Sequence, residues 1–151
     1  SRLRPLLGGI FARWAISATL LGLILVLYRP SLLLALPRER PLLWAMIMLA
    51  YPVLSVYPQE IAFRAFFRHR YRGLVRWPGA YLLLNAAAFG FAHIIMHNAA
   101  AIILCIAGGL VLAWSYERHR SVAAAWLEHT LYGCTAFTIG WGSMLYGGGF
   151  G

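Results

Sequence analysis

The stretch that decides the fold runs from Ala99 to Tyr116 and reads AAAIILCIAGGLVLAWSY, without one charged residue. A helix needs roughly 20 predominantly apolar residues, within a range of about 17 to 25, to cross the hydrocarbon core of a bilayer. Four further stretches approach the same length and character: Leu6 to Tyr28, Pro41 to Tyr57, Ala80 to Met96 and Val122 to Gly140. The pattern predicts an all-α fold, a polytopic bundle of about five membrane-spanning helices.

The composition of the whole chain supports this prediction. Of its 151 residues, 62% are hydrophobic and only 11% are charged, and a water-soluble domain cannot bury that much apolar surface. The core must therefore form between helices, with lipid covering the outer faces. We expect a single domain over residues 1–151, with a flexible, Gly-rich tail over 140–151.

The chain is strongly basic, with a formal net charge of +9. Its Arg residues lie mostly between the apolar stretches rather than along one solvated face, so they favour anionic lipid headgroups over nucleic acid as partners. Five crossings would collect most of them on the side of the N-terminus. The positive-inside rule then predicts a cytoplasmic N-terminus, in what we expect to be a bacterial inner membrane. The pattern gives no sign of an oligomeric state.

A polar segment continues the second apolar stretch beyond Pro58. From Glu60 to Tyr71 it mixes aromatic and Arg residues at helical spacing. This mixture predicts an amphipathic helical extension that leaves the membrane.

Ionisable residues interrupt the apolar pattern at three places. They are the i,i+4 pair Glu60 and Arg64, then His93, and then the neighbours Glu128 and His129. A charged side chain near the bilayer centre costs roughly 2.5 to 3.5 kcal/mol, so each place requires a partner or a function. A structural ion pair or a packed histidine would account for any one of them alone.

The depths of these residues allow them to meet. At a rise of 1.5 Å per residue, Glu60 and His129 each lie about 12 Å from the same membrane surface, and His93 lies about 20 Å from it. Helix tilt and side-chain reach can close that difference, which makes one shared site geometrically possible. Asn85, two turns before His93, is interpreted as a residue that bridges helices by hydrogen bonding.

Such a cluster suits the attack of water on a peptide carbonyl inside a wet cavity. Glu60 is expected to be the general base, with Arg64 as its charge partner. We expect His93 to position the water and His129 to donate a hydrogen bond to the oxyanion.

Two other interpretations use the same side chains. A catalytic zinc ion could be held by the glutamate and the two histidines, and a haem could be held by the two histidines alone. Because the three residues come from three separate helices and no H-E-x-x-H pattern is present, zinc ranks below a metal-free site but stays an alternative. A haem would leave Glu60 and Arg64 without a role, so we expect no cofactor.

The order of these residues resembles that of the CPBP family, the CAAX protease and bacteriocin-processing membrane peptidases. The family pattern is E-E-x-x-x-R, then F-x-x-x-H, then H-x-x-x-N or D, each on a successive membrane helix. The matching residues here are Gln59, Glu60 and Arg64, then Phe89 and His93, then His129 and Gly133. The resemblance covers about Tyr57 to Gly140, within a CPBP-like core at about 41–140. It implies an intramembrane endopeptidase acting on a membrane-embedded or lipid-associated peptide.

Two positions depart from the family pattern. Gln59 stands where the family has its leading Glu, which is usually given the water-activating role. Either Glu60 takes that role over, or the chain is a catalytically inactive scaffold. Gly133 stands where the family has Asn or Asp, so Tyr132, Thr130 or a backbone N–H would have to replace an oxyanion donor.

Overall fold

A computed structural model describes residues 3–142, and every regular element in that range is helical. The helices are α1 (Leu3–Tyr28), α2 (Ala35–Glu39), α3 (Pro41–Leu74), α4 (Pro78–Ala92), α5 (Ala99–His119) and α6 (Val122–Ile139), with 3-10 turns at Pro30–Leu32 and Ile94–Met96. The prediction of an all-α helix bundle is confirmed.

Local chemistry sets most of the helix boundaries. Pro41 and Pro78 each occupy a first helical position, where the missing N–H leaves no bond unmade. The side chains of Asn98 and Ser121 cap α5 and α6 by accepting hydrogen bonds from backbone N–H groups. Gly140 follows α6 with φ of 128°, a conformation that favours glycine.

Four helical segments are long and apolar enough to cross a membrane: Leu3–Tyr28, Pro41–Leu74, Pro78–Met96 and Ala99–His119. Large apolar side chains on their outer faces are exposed, among them Leu27 (73%), Leu49 (78%) and Leu54 (76%). Such faces are typical of a surface covered by lipid. The chain is therefore a polytopic integral membrane protein.

The fifth predicted crossing, α6, is helical but falls outside that apolar group. It packs against α1, α2, α3 and α5, and its Thr135 and Thr138 side chains accept hydrogen bonds from Trp14 and Trp44 of its neighbours. Because these helices shield α6, it can carry Glu128 and His129 that a lipid-facing helix could not.

The helix α3 is continuous through the predicted extension, but its turns are irregular. Wider, π-helical turns occupy Pro52–Val56 and Ile61–Phe66, on either side of Glu60. A proline inside a helix removes one backbone donor, and π turns are frequent at functional sites. Trp126 Nε1 of α6 donates to the Pro52 carbonyl at 2.7 Å, which fixes the irregular part of α3 against α6.

The predicted flexible tail lies largely outside the described residues, which end at Gly142. At Gly140 itself, a side chain would overlap the backbone carbonyl of Leu32. This glycine therefore allows the end of α6 to approach the turn that follows α1.

Candidate active site

Glu60 is fully buried and joins α3 to α6. Its Oε1 atom lies 2.7 Å from Nδ1 of His129, and its Oε2 atom lies 3.1 Å from Nε of Arg64. The Arg64 contact is an ion pair without hydrogen-bond alignment, so Oε2 has no hydrogen-bond partner. Nδ1 of His129 therefore donates the one aligned hydrogen bond that this carboxylate accepts.

Arg64 is buried on the same helix and is held by α4. Its Nη1 donates to Oδ1 of Asn85 at 2.5 Å, and Asn85 Nδ2 donates in turn to the Phe63 carbonyl at 2.6 Å. The guanidinium also lies over the ring of Phe89, 5.0 Å from its centre. These contacts confirm the interpretation of Asn85 as a residue that bridges helices.

His93 directly follows the last residue of α4 and is anchored to that helix. Its Nδ1 lies 2.7 Å from the Phe89 carbonyl oxygen, so Nδ1 carries the proton and donates it. The Phe89 ring packs against the imidazoles of both His93 and His129, with ring centres 4.6 and 5.5 Å apart. Nε2 of His93 is thereby the ring nitrogen left to accept a proton or hydrogen bond.

A cavity of about 410 Å³ opens beside these residues. Its lining combines apolar side chains, several of them from α1, with polar residues that include Tyr51, Gln59, His93, His129 and Tyr132. His93 and His129, two of the three residues predicted to share a site, both line this cavity.

Glu60 does not line this cavity, although sequence analysis predicted that it would contact the attacking water directly. Its two carboxylate oxygens face His129 and Arg64 inside the protein. The carboxylate therefore stands behind the imidazole of His129, which lies between it and the cavity.

The two departures from the family pattern both lie at the cavity wall. Gln59 donates from Nε2 to the Ser55 hydroxyl at 2.9 Å, while its Oε1 is buried without a hydrogen-bond partner. Gly133 lies against Tyr51, whose hydroxyl is 3.4 Å from Nε2 of His129.

Glu128 is a second buried carboxylate. Sequence analysis identified this residue but did not predict which residues bind it. Arg13 of α1 reaches it with Nε at 2.7 Å and Nη2 at 3.1 Å. The hydroxyls of Ser115 and Tyr132 donate to it at 2.6 and 2.9 Å. The available signal was that Arg13 is an isolated charge inside an apolar stretch, which requires a buried partner.

The metal interpretation requires several ligating side chains grouped at one point. Within residues 3–142, no three His, Cys, Asp or Glu side chains are grouped as ligands of one metal ion. The two imidazoles that a haem would need both line the cavity.

Comparison with known proteins supplies the family. A family model described as type II CAAX prenyl endopeptidase Rce1-like matches residues 40–135, which is more than half of the chain and includes the polar residues of α3, α4 and α6. Neither curated proteins nor solved structures gave a match. The resemblance inferred from the three motifs is confirmed, and at family level the chain is a CAAX-type intramembrane endopeptidase. It belongs to the Rce1-like family of type II CAAX prenyl endopeptidases.

Proposed function

We propose that the chain hydrolyses a peptide bond of a prenylated, membrane-associated CAAX substrate by a metal-free mechanism in which Glu60 acts through His129. The main support is the 2.7 Å contact between Glu60 Oε1 and His129 Nδ1, on the protein side of a cavity that His129 lines. The carboxylate orients the imidazole and stabilises its charged form.

The proton transfers follow from this contact. With Nδ1–H donated to Glu60, Nε2 of His129 is an acceptor and takes a proton from water as the water oxygen attacks the peptide carbonyl carbon. The resulting imidazolium is stabilised by the carboxylate of Glu60, whose other oxygen lies 3.1 Å from Nε of Arg64. Nε2–H then gives the proton to the leaving amine nitrogen as the C–N bond breaks.

His93 and Gln59 complete the water site in this proposal. Nε2 of His93 accepts a hydrogen bond from the attacking water, since Nδ1 is engaged by the Phe89 carbonyl. The amide of Gln59 uses one N–H for Ser55 and has a second for the water or the substrate. No carboxylate is needed at position 59, because proton acceptance falls to His129.

The cavity suits a lipid-modified substrate. Its volume of about 410 Å³ lies in the range of small-ligand sites, which are mostly apolar with a few placed polar groups. A CAAX segment combines aliphatic residues with a prenylated cysteine. Apolar side chains of α1, including Leu20, Leu21 and Ile24, would contact that part of the substrate.

The orientation in the membrane and the lipid partners are part of the same proposal. We infer a bacterial inner membrane with the N-terminus in the cytoplasm and anionic headgroups near the Arg residues that end α3. A tag before Ser1 is expected to resist external protease in spheroplasts, and turnover is expected to be higher in vesicles with phosphatidylglycerol than in neutral ones. Digestion of the tag, or equal turnover, would contradict the respective inference.

The proposed function is tested by turnover of a fluorogenic, farnesylated CAAX peptide in proteoliposomes. His129→Gln is expected to lower kcat by about 10² to 10⁴, the range for a general base. The matched control His69→Gln, at an exposed position on α3, is expected to leave kcat unchanged.

Two outcomes would overturn the proposal. Equal turnover by wild type and His129→Gln would remove His129 as the base. Turnover that is absent in the folded wild type and appears in Gln59→Glu would show a scaffold that lacks the leading carboxylate.

A further inference from the structure

Tyr51 is an aromatic residue at the cavity whose hydroxyl lies close to Nε2 of His129. The residue precedes the π-helical turn of α3, and its ring packs edge-on against Phe137 with centres 5.2 Å apart. Its hydroxyl lies 3.4 Å from Nε2 of His129, and both residues line the same cavity. The phenol is thus held by packing, with its oxygen beside Nε2 of His129.

Gly133 makes this position of the phenol possible. A Cβ atom on residue 133 would overlap the ring and the hydroxyl oxygen of Tyr51. Any side chain there would displace the phenol from His129. The hydroxyl therefore fills the space that a side chain one helical turn beyond His129 would otherwise occupy.

The Tyr51 hydroxyl and Nε2 of His129 lie next to each other at the cavity. At 3.4 Å, the contact between the Tyr51 oxygen and Nε2 is long for an O–H···N hydrogen bond. Both groups line the cavity, so a water at Nε2 and a second oxygen atom at the Tyr51 hydroxyl can lie next to each other. In the proposed reaction, the carbonyl oxygen becomes negatively charged next to the water that His129 deprotonates.

The two hydroxyls that the sequence suggested as replacement donors are placed less well. Tyr132 lines the cavity, but its hydroxyl donates to Glu128 at 2.9 Å. Thr130 is not among the residues that line the cavity.

We propose that Tyr51 is a further catalytic residue, whose hydroxyl donates a hydrogen bond to the oxyanion of the tetrahedral intermediate in place of the side chain that Gly133 lacks. This inference rests on the proposed function. Because the donor is fixed before the reaction and lies in a largely apolar cavity, it acts more strongly on a developing charge than on the neutral carbonyl. Its contribution therefore appears in kcat rather than in KM.

The experiment removes the hydroxyl and then supplies another donor. Tyr51→Phe keeps the ring packing and is expected to lower kcat by about 10² to 10³, the loss typical of one oxyanion donor, with KM changed less than about threefold. Tyr57→Phe, on the exposed side of α3, is the matched control and is expected to keep wild-type kcat.

A reciprocal exchange distinguishes an oxyanion donor from a packing residue. Gly133→Asn alone is expected to lower kcat, because its side chain collides with the Tyr51 phenol. In Tyr51→Ala the space is open, so adding Gly133→Asn is expected to recover at least tenfold in kcat over Tyr51→Ala alone, by placing an amide donor beside His129.

The outcomes separate this inference from the function on which it depends. Suppose that the wild type is active and His129→Gln is inactive. A kcat of Tyr51→Phe equal to that of the wild type would then overturn the role of Tyr51 and leave the proposed function standing. The role of Tyr51 would also be overturned if the folded double variant Tyr51→Ala with Gly133→Asn had no higher kcat than Tyr51→Ala. Loss of the His129 dependence would overturn the proposed function instead.

Discussion

Two fully buried carboxylates, Glu60 and Glu128, lie in one bundle but in different hydrogen-bonding surroundings. Each oxygen of Glu128 receives two hydrogen bonds, from Arg13 and Tyr132 on one side and from Arg13 and Ser115 on the other. Glu60 accepts one aligned hydrogen bond, from His129, and its other oxygen has only an unaligned ion pair.

The difference separates a structural carboxylate from one that is available for chemistry. A buried carboxylate with all its acceptor positions filled stabilises the packing of the helices that supply its donors. A carboxylate with unfilled positions, connected to a cavity through an imidazole, can respond when the charge on that imidazole changes. Burial alone does not distinguish the two, since both side chains are fully enclosed.

The largest expected effect is on turnover. Glu60→Gln should lower kcat/KM by about 10² to 10⁴, because the imidazole loses the carboxylate that fixes its tautomer and stabilises its charge. Glu128→Gln should change kcat/KM less than about threefold at a temperature where it remains folded, since its contacts do not reach the reacting atoms. Hydrolysis of a farnesylated CAAX peptide measures both, and similar losses would remove the distinction.

Removing the cationic partner of each carboxylate is expected to affect stability differently. Arg64→Met leaves Glu60 uncompensated in a fully buried site and should cost roughly 3 to 5 kcal/mol of unfolding free energy. Arg13→Met should cost about 1 to 3 kcal/mol, because the Ser115 and Tyr132 hydroxyls still donate to Glu128. The unfolding free energies of both variants in mixed micelles test this order. A larger loss of unfolding free energy in Arg13→Met than in Arg64→Met would contradict the prediction.

Chelation should have the smallest effect. With 1,10-phenanthroline present, kcat is expected to change less than about twofold. The reason is that Nδ1 of His129 and Oε1 of Glu60, which would be metal ligands, already form a hydrogen bond with each other. The same peptide assay measures it, with a non-chelating phenanthroline isomer as control. A large loss that added zinc restores would instead establish a metalloenzyme.

The helical bundle and the polar residues of α3, α4 and α6 could be predicted because both are given by the residue pattern within single helices. Hydropathy marks a helix that can lie in lipid, and the spacing from Glu60 to Arg64 or from Phe89 to His93 is set by helical turns. Helical rise gave depths for His93 and His129 that allowed a shared site but did not require one.

The contacts between helices could not be read from the sequence. Arg13 and Glu128 are 115 positions apart, and no periodicity within α1 or α6 specifies how the two rotate against each other. The way in which α3 and α6 rotate against each other likewise places Glu60 behind His129 rather than at the cavity. Sequence analysis missed Tyr51 because it is one of many aromatic residues in the apolar stretches. An isolated glycine such as Gly133 also does not indicate which side chain packs against it.

The central claim is that Glu60 acts through His129, and a double-mutant cycle on kcat/KM tests it most directly. We predict that Glu60→Gln combined with His129→Gln is no slower than His129→Gln alone, because the carboxylate has no effect once its imidazole is gone. Losses that multiply in the double variant would contradict this account and return Glu60 to an independent role at the cavity.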